Sequence, residues 1–167
     1  MSNVDDAIRM WEMFRAGTLG ELENIPDDQM SFRAGDGART VRELVLHILG
    51  SAHGFVTELL ADDTAFMRLR NPAKQAELIA AMGNPQSKAE LVELVKNNGA
   101  THMQRLRDAA ETLASSTMAM GDVTQSKASG IFFAASHEMY HRGQLTVYAR
   151  AMGVVPQMTQ RIMAASK

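Results

Sequence analysis

A chain of 167 residues that is 46% hydrophobic can bury one sizeable core, and it is expected to form one domain over residues 1–167. It has no cysteine, which excludes disulfides, thiolate metal ligands and a cysteine nucleophile, so any metal must be held by nitrogen or oxygen. Net charge is −2 with both signs interspersed, so neither nucleic acid nor a membrane surface is an expected partner.

The start MSNVDDAIRMWEMF has acids where a signal peptide has bases, and no segment approaches the roughly 20 apolar residues of a membrane span. A cytoplasmic protein is expected. The first helix is expected over about Val4 to Glu23, with Ile8, Trp11, Phe14, Arg15, Leu19 and Leu22 recurring every three or four residues. Asp5 and Asp6 suit its N-terminal turn. After the loop NIPDDQMSFRAGDGAR, Thr40 stands three residues before Glu43, a capping-box spacing that opens a second helix reaching about Leu60. ADDTAFMRLRNPAKQAELIAAMGNP reads as a long crossover holding a short helix or two. Ser87 and Glu90 repeat the capping spacing and open a third helix, roughly Lys88 to Ala114. SSTMAMGDVTQS reads as a polar loop without strand pattern. A fourth helix, about Lys127 to Met152, is closed by Gly153 and Pro156. The thirteen methionines read as adaptable core filler. The prediction is an all-α chain, a four-helix bundle with a long crossover between helices 2 and 3, and such bundles build metal sites from side chains on facing helices.

In the fourth helix, HEMYH places His137 and His141 at the HExxH spacing of zinc proteases. At about 100° per residue, Phe133, Ala134, His141, Gln144, Tyr148, Ala151 and Met152 fall within roughly 60° of His137, while Met139, Arg142 and Arg150 lie on the other side. Two imidazoles at i, i+4 on one apolar stripe favour a shared metal over two separate core histidines. A protease site lacks its usual completion, because no histidine, aspartate or glutamate follows His141. Glu138, about 100° from His137 on the wheel, reads as a flanking surface carboxylate. For the third ligand, periodicity leaves His47, at the flank of the second helix's stripe, and His102, in the middle of the third helix's stripe, both open. His53 reads as a solvated surface histidine.

TVRELVLHI (Thr40 to Ile48) followed by HEMYHRGQLTVYARAMG (His137 to Gly153) resembles the DinB/YfiT superfamily of metal-dependent proteins. The run HxxxHRGQ, the tail YxRxxG and the upstream LxxHI occur in that order, and the connector before the second helix is similar too. The resemblance covers most of the chain and is weakest from Ala61 to Gln86. It implies an up-down-down-up bundle and a three-histidine divalent metal site made by His47, His137 and His141. His102 then becomes a core histidine or a neighbour of the ligands, and HEMYH reads as HxxxHRGQ rather than as a protease helix. Arg142 reads as an outer-face ion-pair partner, and Gly143 as room for close helix approach. Gln144 and Tyr148 either orient a ligand or satisfy backbone groups.

Three imidazoles suit zinc or nickel first, with iron or copper also fitting, and they leave a coordination position open. The resemblance implies a metal-dependent thiol transferase, in which a small-molecule thiol attacks a small electrophile; no catalytic side chain is singled out. Its rivals are a metal-dependent hydrolase and a non-catalytic, stress-associated metal-binding module. A homodimer is expected from the family. Arg33, Arg39 and Arg42 read as a solvated basic patch, with capture of an acidic cosubstrate as the alternative.

Overall fold

Thr40 Oγ1 accepts from the Glu43 amide at 3.1 Å and Glu43 returns a carboxylate to the Thr40 amide at 2.7 Å, so α2 (Val41–Leu60) starts where the spacing predicts. The computed structural model describes residues 3–166. Before α2 come α1 (Asn3–Asn24) and a 3₁₀ turn, Asp27–Gln29. The crossover holds a second 3₁₀ turn, Phe66–Arg70, and α3 (Pro72–Ala80), whose cap Asn71 accepts from Ala73 and Lys74 with Pro72 at the first helical position. The Ser87 cap opens α4 (Lys88–Asp108), which breaks at Ala109 into α5 (Ala110–Ser115) instead of continuing to Ala114 as one helix.

The predicted polar loop is a short antiparallel hairpin, β1 (Thr117–Met120) with β2 (Val123–Ser126), in the register Thr117↔Ser126 to Met120↔Val123. Its two-residue turn begins at Gly121, with φ at 62°, the left-handed position that favours glycine. The long helix α6 (Lys127–Ala151) ends as expected: Gly153 (φ 76°) donates to the Arg150 carbonyl and Val154 to the Ala149 carbonyl, a Schellman closure. A further helix, α7 (Gln157–Ala165), lies beyond the predicted elements.

Residue meetings fix the topology. Trp11 reaches Glu138 and Gly17 lies under Arg142, so α1 and α6 run parallel. His47 meets His141 and Phe55 meets Phe133, so α2 and α6 are antiparallel. Lys88 reaches the Ile25 carbonyl and Arg107 pairs with Glu12, so α4 is antiparallel to α1. The four long helices are therefore up-down-down-up, with α6 wedged between α1 and α2 and diagonal to α4.

Two apolar clusters fill the bundle. One is built around Trp11, Phe55, Leu59, Leu106 and Ile131, the other around Leu22, Leu44, Ile48, Leu91 and Leu145. Buried polar groups gather where the clusters meet: Arg15 on α1, His47 and Ser51 on α2, His102 on α4, and Glu138 and His141 on α6. The methionines depart from expectation. Met103 and Met118 are buried, but Met10, Met13, Met67, Met139, Met158 and Met163 are exposed. Gly143 has open space over it; on α6 the close approach is at Gly130, against Leu59 of α2 and Met118, and on α1 the Arg142 side chain crosses Gly17.

Candidate metal centre

One turn of α6 carries both His137 and His141, and the antiparallel neighbour α2 carries His47 against them. Their rings lie 5.5 Å (His47–His137), 4.6 Å (His47–His141) and 4.5 Å (His137–His141) apart, centroid to centroid. His47 Nε2 and His141 Nε2 approach to 3.1 Å, and one nitrogen from each of the three rings lies within 4.8 Å of the others. Two nitrogens bound to one tetrahedral ion at about 2.0–2.1 Å stand roughly 3.4 Å apart, so small side-chain rotations close this set on a metal.

The three imidazoles are held in the protonation state a metal ligand needs. Burial, then Arg39 and the two neighbouring imidazoles, pushes His47 down to about 3; burial and His141 push His137 down to about 4. His141 is lowered too, chiefly by burial. All three rings are neutral at pH 7, the form that offers a lone pair. Gln144 Oε1 accepts from His141 Nδ1 at 2.9 Å, which turns the Nε2 lone pair toward His47. Among the described residues His47 Nδ1 is buried without a partner, and so is Ser51 Oγ one helical turn along. Unpartnered polar atoms in a buried position are costly, and such groups are expected where something else binds.

A cavity of about 710 Å³ opens over His47 and His137, walled by Phe55, Phe66, Phe133 and Met120, with Arg39 and Arg70 also lining it. The sequence model of the DinB family matches residues 1–166. The chain belongs to the DinB family. A DinB-like protein of Bacillus subtilis, YjoA, superposes with a TM-score of 0.67 at 22% identity, covering 89% of this chain and 92% of that one. YfiT of the same organism, described as a probable metal-dependent hydrolase with an unusual four-helix bundle topology, gives a TM-score of 0.60 at 17% identity, covering 90% and 87%. A DinB-like protein of Bacillus cereus gives 0.65 at 15% identity, covering 91% and 94%. A sequence search of curated proteins found no match. These likenesses carry the fold; this DinB chain's own side chains carry the site.

The other sequence candidates are sorted by the same packing. His102 lies outside the triad: its Nδ1 donates to Asn98 at 3.0 Å and its Nε2 faces His53 Nδ1 at 3.2 Å. His53 is therefore a half-buried partner of His102 and not a solvated residue. Glu138 corrects the wheel most sharply. It is 2% exposed, accepting from Trp11 Nε1 at 2.8 Å and from Arg15 at 2.7 and 2.9 Å. Tyr148 donates to the Arg39 carbonyl at 2.8 Å, fixing that loop onto α6, so Gln144 alone of the two hydrogen-bonds a candidate ligand. Arg33 pairs with Glu43 and Arg42 with Asn84, whereas Arg39 lines the cavity. Sequence reasoning missed Ser51, although it stands at i+4 from His47, and it had no signal for Arg70 or Met120, which sit in connectors.

The depressed histidines set a pH dependence for the metal-free protein. His47 and His102, each held down to about 3 chiefly by burial, and His137 at about 4 stay neutral in the fold at pH 5. In the unfolded chain they titrate near 6.5. Below that value the unfolded state binds protons the fold refuses, so stability falls as pH falls from about 6.5 toward 4. Each histidine contributes up to about 1.4 kcal/mol per pH unit in that window. The depressed Glu43 and Glu58 cost stability only nearer the carboxylate range. Urea unfolding of chelator-treated protein at pH 7, 6 and 5 checks this, and a flat profile over that range contradicts it.

Proposed function

We propose that this chain is a divalent-metal-dependent enzyme for small organic molecules, with His47, His137 and His141 as the metal ligands. The observation that carries the reading is that three neutral imidazoles converge beneath a cavity with room for a substrate. An ion there supplies Lewis acidity, which makes a water or a thiol acidic near neutral pH. The protein's own part is to position and exclude. Gln144 orients His141, the Phe55–Phe66–Phe133 cluster makes the wall beside the histidines apolar, and Ser51, with an unpartnered hydroxyl, lies beside the cavity.

Hydrolysis is the first reading, supported by the description of YfiT as a probable metal-dependent hydrolase. Thiol transfer to an electrophile is the second, and one observation favours it. Among the described residues no carboxylate lines the cavity to assist proton removal, and a thiol, whose own pKa is about 8.5, depends less on such a base than water does even when a metal acidifies both.

The test uses tag-free protein loaded in turn with zinc and nickel, assayed against ester and amide panels, and against a chloroarene electrophile with and without small thiols. Hydrolysis that vanishes with a chelator supports the first reading. Thiol-dependent, chelator-sensitive loss of the electrophile supports the second. Stoichiometric metal without turnover in either panel leaves a metal-binding module and overturns the enzymatic proposal.

A further inference from the structure

We infer that the cavity over the three histidines takes a small amphipathic organic anion, an apolar or aromatic body bearing one acid group. This deepens the proposed function and rests on that cavity being the substrate site. The acid end is assigned by charge. Five of the twelve arginines are paired with carboxylates: Arg9 with Asp6, Arg15 with Glu138, Arg33 with Glu43, Arg68 with Glu58 and Asp63, Arg107 with Glu12. Arg39 and Arg70 line the cavity from two different connectors, and neither makes a direct ion pair among the described residues, although Arg39 also acts on Glu43 at longer range. Among the described residues no aspartate or glutamate lines the cavity with them. An entering anion therefore meets two cations that make no direct ion pair and no lining carboxylate, while an entering cation is repelled by both arginines.

The apolar end is assigned by the wall. Phe55, Phe66 and Phe133 form a cluster with centroids 4.9 Å (Phe55–Phe66), 5.7 Å (Phe55–Phe133) and 5.7 Å (Phe66–Phe133) apart. Phe133 is nevertheless 43% exposed and Met67 55% exposed, both on the cavity, so apolar surface is left for a ligand to cover. The independent sign of a ligand is Ser51. Ser51 is 4% exposed and one of the residues lining the cavity, and its hydroxyl is buried with no hydrogen-bond partner among the described residues. A polar group of the bound molecule satisfies it without competing for the arginines.

The probes are 4-phenylbutyrate and its neutral counterpart 4-phenylbutan-1-ol, titrated by calorimetry and by saturation-transfer NMR at millimolar concentration. The wild-type protein is expected to bind the acid roughly tenfold tighter than the alcohol, two partly exposed ion pairs giving a factor of a few each. Arg39→Gln/Arg70→Gln, at exposed positions that leave the fold alone, is expected to erase that preference while keeping alcohol affinity. Phe133→Ser is expected to weaken both probes. His141→Ala separates this inference from the metal reading, because His141 is one of the three proposed ligands but does not line the cavity. The acid preference is expected to survive that substitution. If it disappears in His141→Ala yet persists in the double arginine variant, the acid sits on the metal, and the inference is overturned while the metal reading stands. If the wild type takes up no metal but the arginine-dependent preference holds, the metal reading falls and the ligand class stands. Equal binding of acid and alcohol, or no binding of either, overturns the inference.

Discussion

Replacing His47, His137 or His141 by alanine is expected to lower zinc or nickel affinity at least ~100-fold, more than the ~10–100-fold loss typical of an outer partner of a ligand. The three rings meet at one point, so each removal leaves a two-histidine site with an incomplete shell. The substitutions suit the helices: alanine is the best helix former, and the imidazoles removed are neutral and carry no ion pair. Gln144→Leu frees the His141 ring to take the wrong tautomer and is expected to cost about 10–100-fold. His102→Ala and His53→Ala are expected to leave affinity unchanged, because that pair is closed on itself and on Asn98. Competition against a chromophoric chelator, with elemental analysis of tag-free protein, reads all six variants. Full metal in His47→Ala together with an empty site in His102→Ala would sink the assignment.

That choice between His47 and His102 marks where sequence reasoning reached its limit. Periodicity reports which face of a helix is buried, and both residues are: His47 is 8% exposed and His102 3%. It does not report which helices are neighbours. Here α2 lies against α6 and α4 lies diagonal to it, so only His47 can meet His137 and His141; the resemblance to DinB proteins supplied that adjacency in advance. Caps and helix starts were legible because they are local, as Thr40–Glu43 and Ser87–Glu90 illustrate. The hairpin escaped because only Met118 of its eight residues is buried, so its strands carry no clear alternation, and α7 escaped because none of its residues is buried. Arg70 and Met120 reach the cavity from connectors, whose path is set by tertiary packing and not by period.

Glu138 was misread for a related reason, and its buried state yields the largest expected stability effect. A wheel centred on His137 assumes one buried stripe, but α6 packs on α2 with one side and on α1 with another, so a residue about 100° away still points inward. Glu138→Ala is expected to destabilise the fold by about 3–5 kcal/mol, since it leaves the 6% exposed Arg15 cation with only Asn98 and the Val95 carbonyl. Arg15→Met is expected to cost a similar amount, because the carboxylate keeps only Trp11. The double variant Arg15→Met/Glu138→Leu removes both charges at once and is expected to lose far less than the two singles together. The pair also directs the polar layer beyond it. Arg15 donates to Asn98 Oδ1 at 2.8 Å, which commits that oxygen as an acceptor, makes His102 Nδ1 the donor to it, and leaves His102 Nε2 to accept from His53. Urea unfolding of the four proteins measures the coupling, with metal affinity as the second readout. Additive losses, or single losses below about 1 kcal/mol, contradict a charge-paired core. Full stability in Glu138→Ala with lost turnover and retained metal would instead move Glu138 from holding α1 against α6 to the chemistry.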